Sequence, residues 1–165
     1  MNDNKTHEVF MNEALKQAKL SFAANEVPIG AVLVYQNKII ARGHNLSIAN
    51  HDPSAHAEIL TIRDGGQYLK NYRLLNCSLY VTLEPCVMCL GAIFHARISN
   101  LLFGAYDHKT GACESAVNLK ENKELNHHCV IHGGVLEFES KTLLQDFFKN
   151  KRKKTVKKIT VFNKH

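Results

Sequence analysis

The chain has 165 residues, a net charge of +6 and a hydrophobic fraction of 45%, which suits one folded domain with its own core. No apolar run approaches the length of a membrane span. The polar, acid-containing N-terminus MNDNKTHEVF lacks the order of a secretory signal, so a cytoplasmic location is expected.

Residues 6–24 carry an apolar stripe at Met11, Leu15, Ala18 and Phe22. Their spacing of four, three and four predicts a helix, with Thr6 as its cap. Ile29–Tyr35 reads as a buried strand, and Gln36-Asn37 as a tight turn into a second strand, Lys38–Arg42, making a hairpin. Residues 44–53 are polar and irregular. Pro53-Ser54 opens a helix that runs to about Asp64, where Gly65-Gly66 stops it. Cys77–Thr82 is a third strand. Pro85 stands where helices start, and an apolar helix follows over Cys86–Ala96. Ile98–Gly104 is a fourth strand, residues 105–127 show no clear pattern, Cys129–His132 is a short fifth strand and Glu137–Lys154 a closing helix. Strands separated by short helices predict crossover units in a largely parallel sheet, which the opening hairpin makes mixed. The expected class is an α/β layered domain.

The positive charge is local. Residues 149–158, KNKRKKTVKK, hold seven basic side chains and no acid; without them 14 basic residues face 15 acidic ones. Such a run suits the phosphates of a nucleic acid. It equally suits a solvated, frayed tail.

Two short segments carry chemistry: His56-Ala57-Glu58 and Pro85-Cys86-Val87-Met88-Cys89. Cys86 and Cys89, three apart, share one face of a helix. They lie in its first turn, where unpaired N–H groups lower thiol pKa and favour the metal-binding thiolate. An odd total of five cysteines argues against a disulfide framework, leaving metal or redox chemistry for the C-x-x-C pair. His56 supplies a third ligand, and three protein ligands with an open fourth position describe a catalytic zinc site. Zinc brings the pKa of a bound water toward neutrality. Glu58, two residues beyond the histidine, can take that water's proton and pass it to a leaving amine. Cys77, Cys113 and Cys129 stand alone and read as small buried hydrophobes.

The order H-x-E followed by P-C-x-x-C is the known signature of zinc nucleobase deaminases. Through it the chain resembles the cytidine/deoxycytidylate deaminase superfamily and, within it, the bacterial tRNA-specific adenosine deaminases. The likeness extends to Val27–Val32, His51–Glu58, Asn71–Leu74, Leu79–Cys89, Phe103–Ala105 with Asp107, Lys109–Gly111, Asn126-His127 and Asp146–Phe148, roughly residues 8–152. Tyr106, His108 and Cys113 depart from the family pattern. The resemblance implies a three-layer α/β/α sandwich around a mixed five-stranded sheet, with a deaminase domain over 1–152 and a basic tail over 153–165. It implies a homodimer with one zinc per subunit, held by His56, Cys86 and Cys89.

The implied activity is hydrolytic conversion of adenosine to inosine at the wobble position of a tRNA anticodon, the family pointing to the arginine isoacceptor with an ACG anticodon. Glu58 would move the protons. Asn45 would contact the target nucleotide, Asp107 and Lys109 would sit beside the anticodon loop, and Phe148, Lys149 and Arg152 would meet neighbouring nucleotides. Phe148 could instead be core packing, and Lys149 and Arg152 solvated charge. Neither a membrane nor DNA is expected as a partner. A deaminase of a free base or nucleoside, such as guanine or cytidine, would share the same zinc residues, and a noncatalytic zinc or RNA-binding module would need no Glu58.

Overall fold

The computed structural model describes the backbone of residues 3–162 and the side chains of residues 4–154. The elements are α1 (Asp3–Ala23), β1 (Gly30–Tyr35), β2 (Lys38–His44), α2 (Ala57–Leu69), β3 (Cys77–Leu83), α3 (Val87–His95), β4 (Asn100–Ala105), β5 (Val130–His132) and α4 (Glu137–Phe162). Thr6 lies inside α1 rather than capping it. Among the described residues no helix is long and apolar enough to cross a membrane.

The strands form one sheet in the order β2-β1-β3-β4-β5. The hairpin turn is as expected: Gln36 and Asn37 both have positive φ, 49° and 58°, the twist a two-residue connection needs. The sheet is less parallel than expected. β3, β4 and β5 run parallel, but β1 is antiparallel to both β2 and β3. The crossover through α2 does return the chain in its original direction, since β2 and β3 point the same way. β1 is inserted between them.

Period-two alternation buries both faces of the sheet. Ala31, Leu33, Leu79, Val81, Leu101 and Phe103 join Ala57, Leu90 and Ile93 in the core under α2 and α3. Val32, Val34, Tyr80 and Leu102 pack with Met11 and Ala14 of α1 on the opposite face. α4 packs on β4, β3 and α1, completing the third layer. The molecule is the expected three-layer α/β/α sandwich around a mixed five-stranded sheet.

Two boundaries of α2 differ from expectation. The helix starts at Ala57, not Ser54. Asp52 explains this: its Oδ1 accepts the Ser54 N–H at 2.8 Å and the Ser54 hydroxyl at 2.7 Å, closing a separate turn before the helix. The helix then runs through Gly65-Gly66 to Leu69, ending at Lys70 with φ 50°. Gly65 is a packing residue here. A Cβ at that position would run into the Leu33 side chain, so its absence lets α2 lie close on β1.

The topology also selects one end of the sheet. β2, β3, β4 and β5 point the same way, so the chain leaves all four at that end, outside their carboxyl ends, where sheets of this kind place ligands. α2 and α3 both begin there. α4 stays near that end: Ser140 lies against Gly104 late in β4, and Phe147 packs edge-on against Phe22 at the close of α1, 5.6 Å between rings. It continues beyond the expected Lys154 to Phe162. The side chains of Lys157 and Lys158, and residues 163–165 of the expected tail, lie outside the described residues.

Candidate metal centre

Two helix starts converge at the selected end. His56 is the N-cap of α2 and Cys86 the N-cap of α3; both have extended backbone, and neither side chain caps its own helix. That leaves imidazole and thiol free to turn toward each other. Cys89 follows one turn into α3 and is fully buried. The His56 Nδ1 lies 3.4 Å from Cys89 Sγ and 3.8 Å from Cys86 Sγ. All three donor atoms fall within 4.8 Å of one another, the only such set of metal-ligating side chains among the described residues. A tetrahedral zinc with ordinary bond lengths separates nitrogen from sulfur by about 3.5 Å, so the donor set fits the ion in kind and in spacing.

Electrostatics point the same way. A hydrogen bond from Cys89 outweighs burial and, with the His56 bond, holds the Cys86 thiol down to about 4. The same bond, together with burial, pushes the Cys89 thiol up. The Cys86 bond raises His56. The cluster is thus a thiolate beside a shared proton, the charge state a divalent cation displaces on binding.

Glu58 occupies the first turn of α2, 3% exposed. Its Oε2 is buried with no hydrogen-bond partner in the protein. Burial pushes the carboxyl up to about 7, against its backbone hydrogen bond and the His56 charge, which lower it. A polar atom so placed needs a polar neighbour to compensate its desolvation.

Asn45 is 5% exposed and is tied to the same turn. Its Oδ1 accepts the Ala57 N–H at 2.8 Å, between His56 and Glu58. Its own carbonyl accepts the Ser21 hydroxyl at 3.0 Å, coupling the site to the end of α1. Asp107 follows β4 and is half-buried; its carboxylate accepts the Lys109 N–H at 2.9 Å and the Thr110 hydroxyl at 2.6 Å. Burial raises that carboxyl, but these bonds outweigh it and leave it below the usual range. Lys109 is exposed.

On α4, Phe147 takes the core position and Phe148 stands 45% exposed, with Lys149 and Arg152 exposed. Core packing is therefore ruled out for Phe148. No hydrogen bond or ring contact among the described residues links these three to His56, Glu58 or the cysteines.

The three departures from the family pattern fall mostly inward. Tyr106 stacks edge-on against Phe103, 5.0 Å between rings, and Cys113 is fully buried; His108 is exposed. Sequence reasoning passed over two buried carboxylates that shape the surrounding loops. Glu26 Oε1 accepts the N–H groups of Ile48 and Ala49, each at 2.8 Å, before the metal histidine. Glu84 binds the loop after β4. The one signal available for Glu84 was an acid inside the apolar run Leu79–Leu83 and Pro85-Cys86.

Residues 4–105 match the profile of the cytidine and deoxycytidylate deaminase zinc-binding region. A tRNA-specific adenosine deaminase of Buchnera aphidicola subsp. Baizongia pistaciae is 52% identical over 147 residues, covering 87% of this chain and 89% of its own length. The chain belongs to this deaminase family, in its tRNA-specific adenosine deaminase branch. A solved structure from work on A-to-I editing by tRNA:A34 deaminases superimposes on the deaminase with a TM-score of 0.80 at 44% identity, over 82% of this chain and 98% of that one. A guanine deaminase of Bacillus subtilis is 41% identical but matches over only 61% of this chain and 64% of its own, with a TM-score of 0.58. The deaminase is thus a zinc-dependent hydrolytic enzyme of known fold.

Proposed function

We propose that the chain converts adenosine to inosine at the wobble position of a tRNA anticodon, by hydrolysis at C6 with release of ammonia. The observation that carries the chemistry is the buried, unpartnered Glu58 oxygen beside the His56/Cys86/Cys89 donor set. The likeness to a named tRNA-specific adenosine deaminase along nearly the whole chain supports the substrate.

His56, Cys86 and Cys89 would hold one zinc per subunit, which when bound supplies the Lewis acidity that makes hydroxide available near neutral pH. Glu58 accepts one water proton and donates it to the ring nitrogen as the water oxygen bonds to C6, then takes the remaining proton of that new hydroxyl and passes it to the amine, so that C6=O forms as the C–N bond breaks and ammonia leaves. A carboxyl raised by burial suits both halves of that exchange, because it holds and releases a proton with similar ease. Asn45 stands next to the reacting turn and contacts the target nucleotide. Asp107 and Lys109 sit beside the anticodon loop. A wobble base must be splayed from its stack to enter, as in other single-stranded RNA recognition. The exposed Phe148 ring offers a stacking surface, and Lys149 and Arg152 offer charge to phosphates.

A tRNA substrate supports a cytoplasmic location, and the family resemblance supports a homodimer. The deaminase unit spans residues 1–152, followed in sequence by a basic tail over 153–165. The arginine isoacceptor with an ACG anticodon is the substrate the resemblance favours. Ending the chain after Lys149 tests the basic surface, since it keeps Phe147, the buried anchor of α4, and removes seven Lys and Arg side chains. Stem-loop affinity falls, and each lost phosphate contact flattens the slope of log affinity against log salt by about 0.7. Zinc stays bound. Equal affinity and slope in the truncated chain would remove this segment from the substrate site.

A further inference from the structure

Residues 106–129 contain no helix or strand beyond a single bridge between Cys86 and Gly111. A segment of that length needs something to define it. Its first part is organised by one side chain, Glu84, which is 2% exposed and belongs neither to the donor set nor to the proton path. Glu84 Oε1 accepts three consecutive amides, from Cys113 at 3.1 Å, Glu114 at 2.9 Å and Ser115 at 3.0 Å. Its Oε2 accepts the Asp107 N–H at 3.0 Å and the Ser115 hydroxyl. Gly111 lies against the carboxylate so closely that a Cβ would approach it to 2.5 Å.

Two further features distinguish this from an ordinary loop staple. Glu84 is separated from Cys86 only by Pro85, whose carbonyl accepts the Ala112 N–H at 2.8 Å. The loop is therefore referenced to a metal ligand. In addition, the amide held by Oε2 belongs to Asp107, whose carboxylate in turn holds the backbone N–H groups of Lys109 and Thr110. One buried carboxylate thus sets the backbone of both loop residues assigned to the anticodon.

We propose that Glu84 is a positioning residue for the RNA: its carboxylate orders residues 107–115 against the metal segment, so that Asp107 and Lys109 meet the anticodon loop pre-organised. This inference rests on the tRNA reading of the site. Without the anchor, binding must also order the loop, so the loss falls on KM while Glu58 and the donor set keep working.

Glu84→Gln is the discriminating variant. Its remaining carbonyl can serve Cys113, Glu114 and Ser115, while its amide turns a donor toward the Asp107 N–H. Hydrogen exchange at the Asp107 amide, measured on the whole chain without substrate, accelerates by at least about tenfold. Zinc per chain is unchanged, KM for an anticodon stem-loop rises about tenfold, and kcat stays within about twofold. Asp107→Ala then costs much less in Glu84→Gln than in the wild type, because both act through one contact. Unchanged exchange overturns the anchor. Faster exchange with an unchanged KM, or with loss confined to kcat or melting temperature, reduces Glu84 to a structural staple and overturns its role toward RNA. A wild-type enzyme inert on the stem-loop sinks the substrate reading by itself, and the exchange result still decides whether Glu84 holds the loop.

Discussion

Glu58→Ala lowers kcat by about a thousandfold while zinc content and stem-loop affinity stay near wild type. Two features make the effect large and confined to the chemical step. Glu58 is not a member of the donor set, whose three atoms come from His56, Cys86 and Cys89, so the metal loses no ligand. Its Oε2 has no partner within the protein, so alanine breaks no hydrogen bond at that atom and relieves a buried, poorly compensated carboxyl. The fold is therefore no less stable in the variant, and a thermal melt run beside the kinetics checks this. Glu58→Gln, which keeps the shape but cannot exchange the proton, falls nearly as far. A variant that kept its activity would return the chain to a noncatalytic zinc or RNA-binding module.

Cys86→Ser loses zinc and activity together. The thiol is held down to about 4, chiefly by the Cys89 hydrogen bond with help from His56, so it is already a thiolate at neutral pH. A serine hydroxyl stays protonated and offers a poor ligand. Changing residues that only support metal ligands typically costs roughly 10–100-fold in metal affinity, and loss of a ligand exceeds that. The variant also separates metal loss from unfolding. Cys86 is the N-cap of α3, a position that serine favours, so the helix keeps or improves its start. Metal analysis and circular dichroism on one preparation then show a folded, zinc-poor, inactive protein. Full activity in a demonstrably metal-free sample would contradict the zinc mechanism.

The donor set was legible in the sequence because it depends on residue type and short spacing, which folding preserves. His56 and Cys86 had to start helices, and they do, as N-caps. The ends of α2 were less legible. Pro53-Ser54 has the form of a helix start, but Asp52 competes for the Ser54 donors, and the extended backbone this leaves at His56 is what turns the imidazole to the cysteines. Gly65 looks like a stop until Leu33 is seen packed against it. The insertion of β1 between β2 and β3 was hidden for a related reason: hairpins and crossovers each leave a local mark, but which strand lies in the middle is decided by long-range packing. Glu84 and Glu26 were invisible as anchors because backbone amides carry no sequence mark. Phe148 could be decided only by the rotation of α4, which buries Phe147 and exposes its neighbour.

Deamination of a tRNA wobble adenosine at this zinc site is tested most directly by inosine formation in an anticodon stem-loop with adenosine at the wobble position. It is run beside free adenosine, cytidine and guanine, with wild type and Glu58→Ala at matched zinc content. Inosine is expected in the stem-loop alone, steeply reduced by rising salt and abolished by Glu58→Ala. Turnover of guanine or a free nucleoside with an inert stem-loop would leave the zinc chemistry standing and contradict the tRNA assignment.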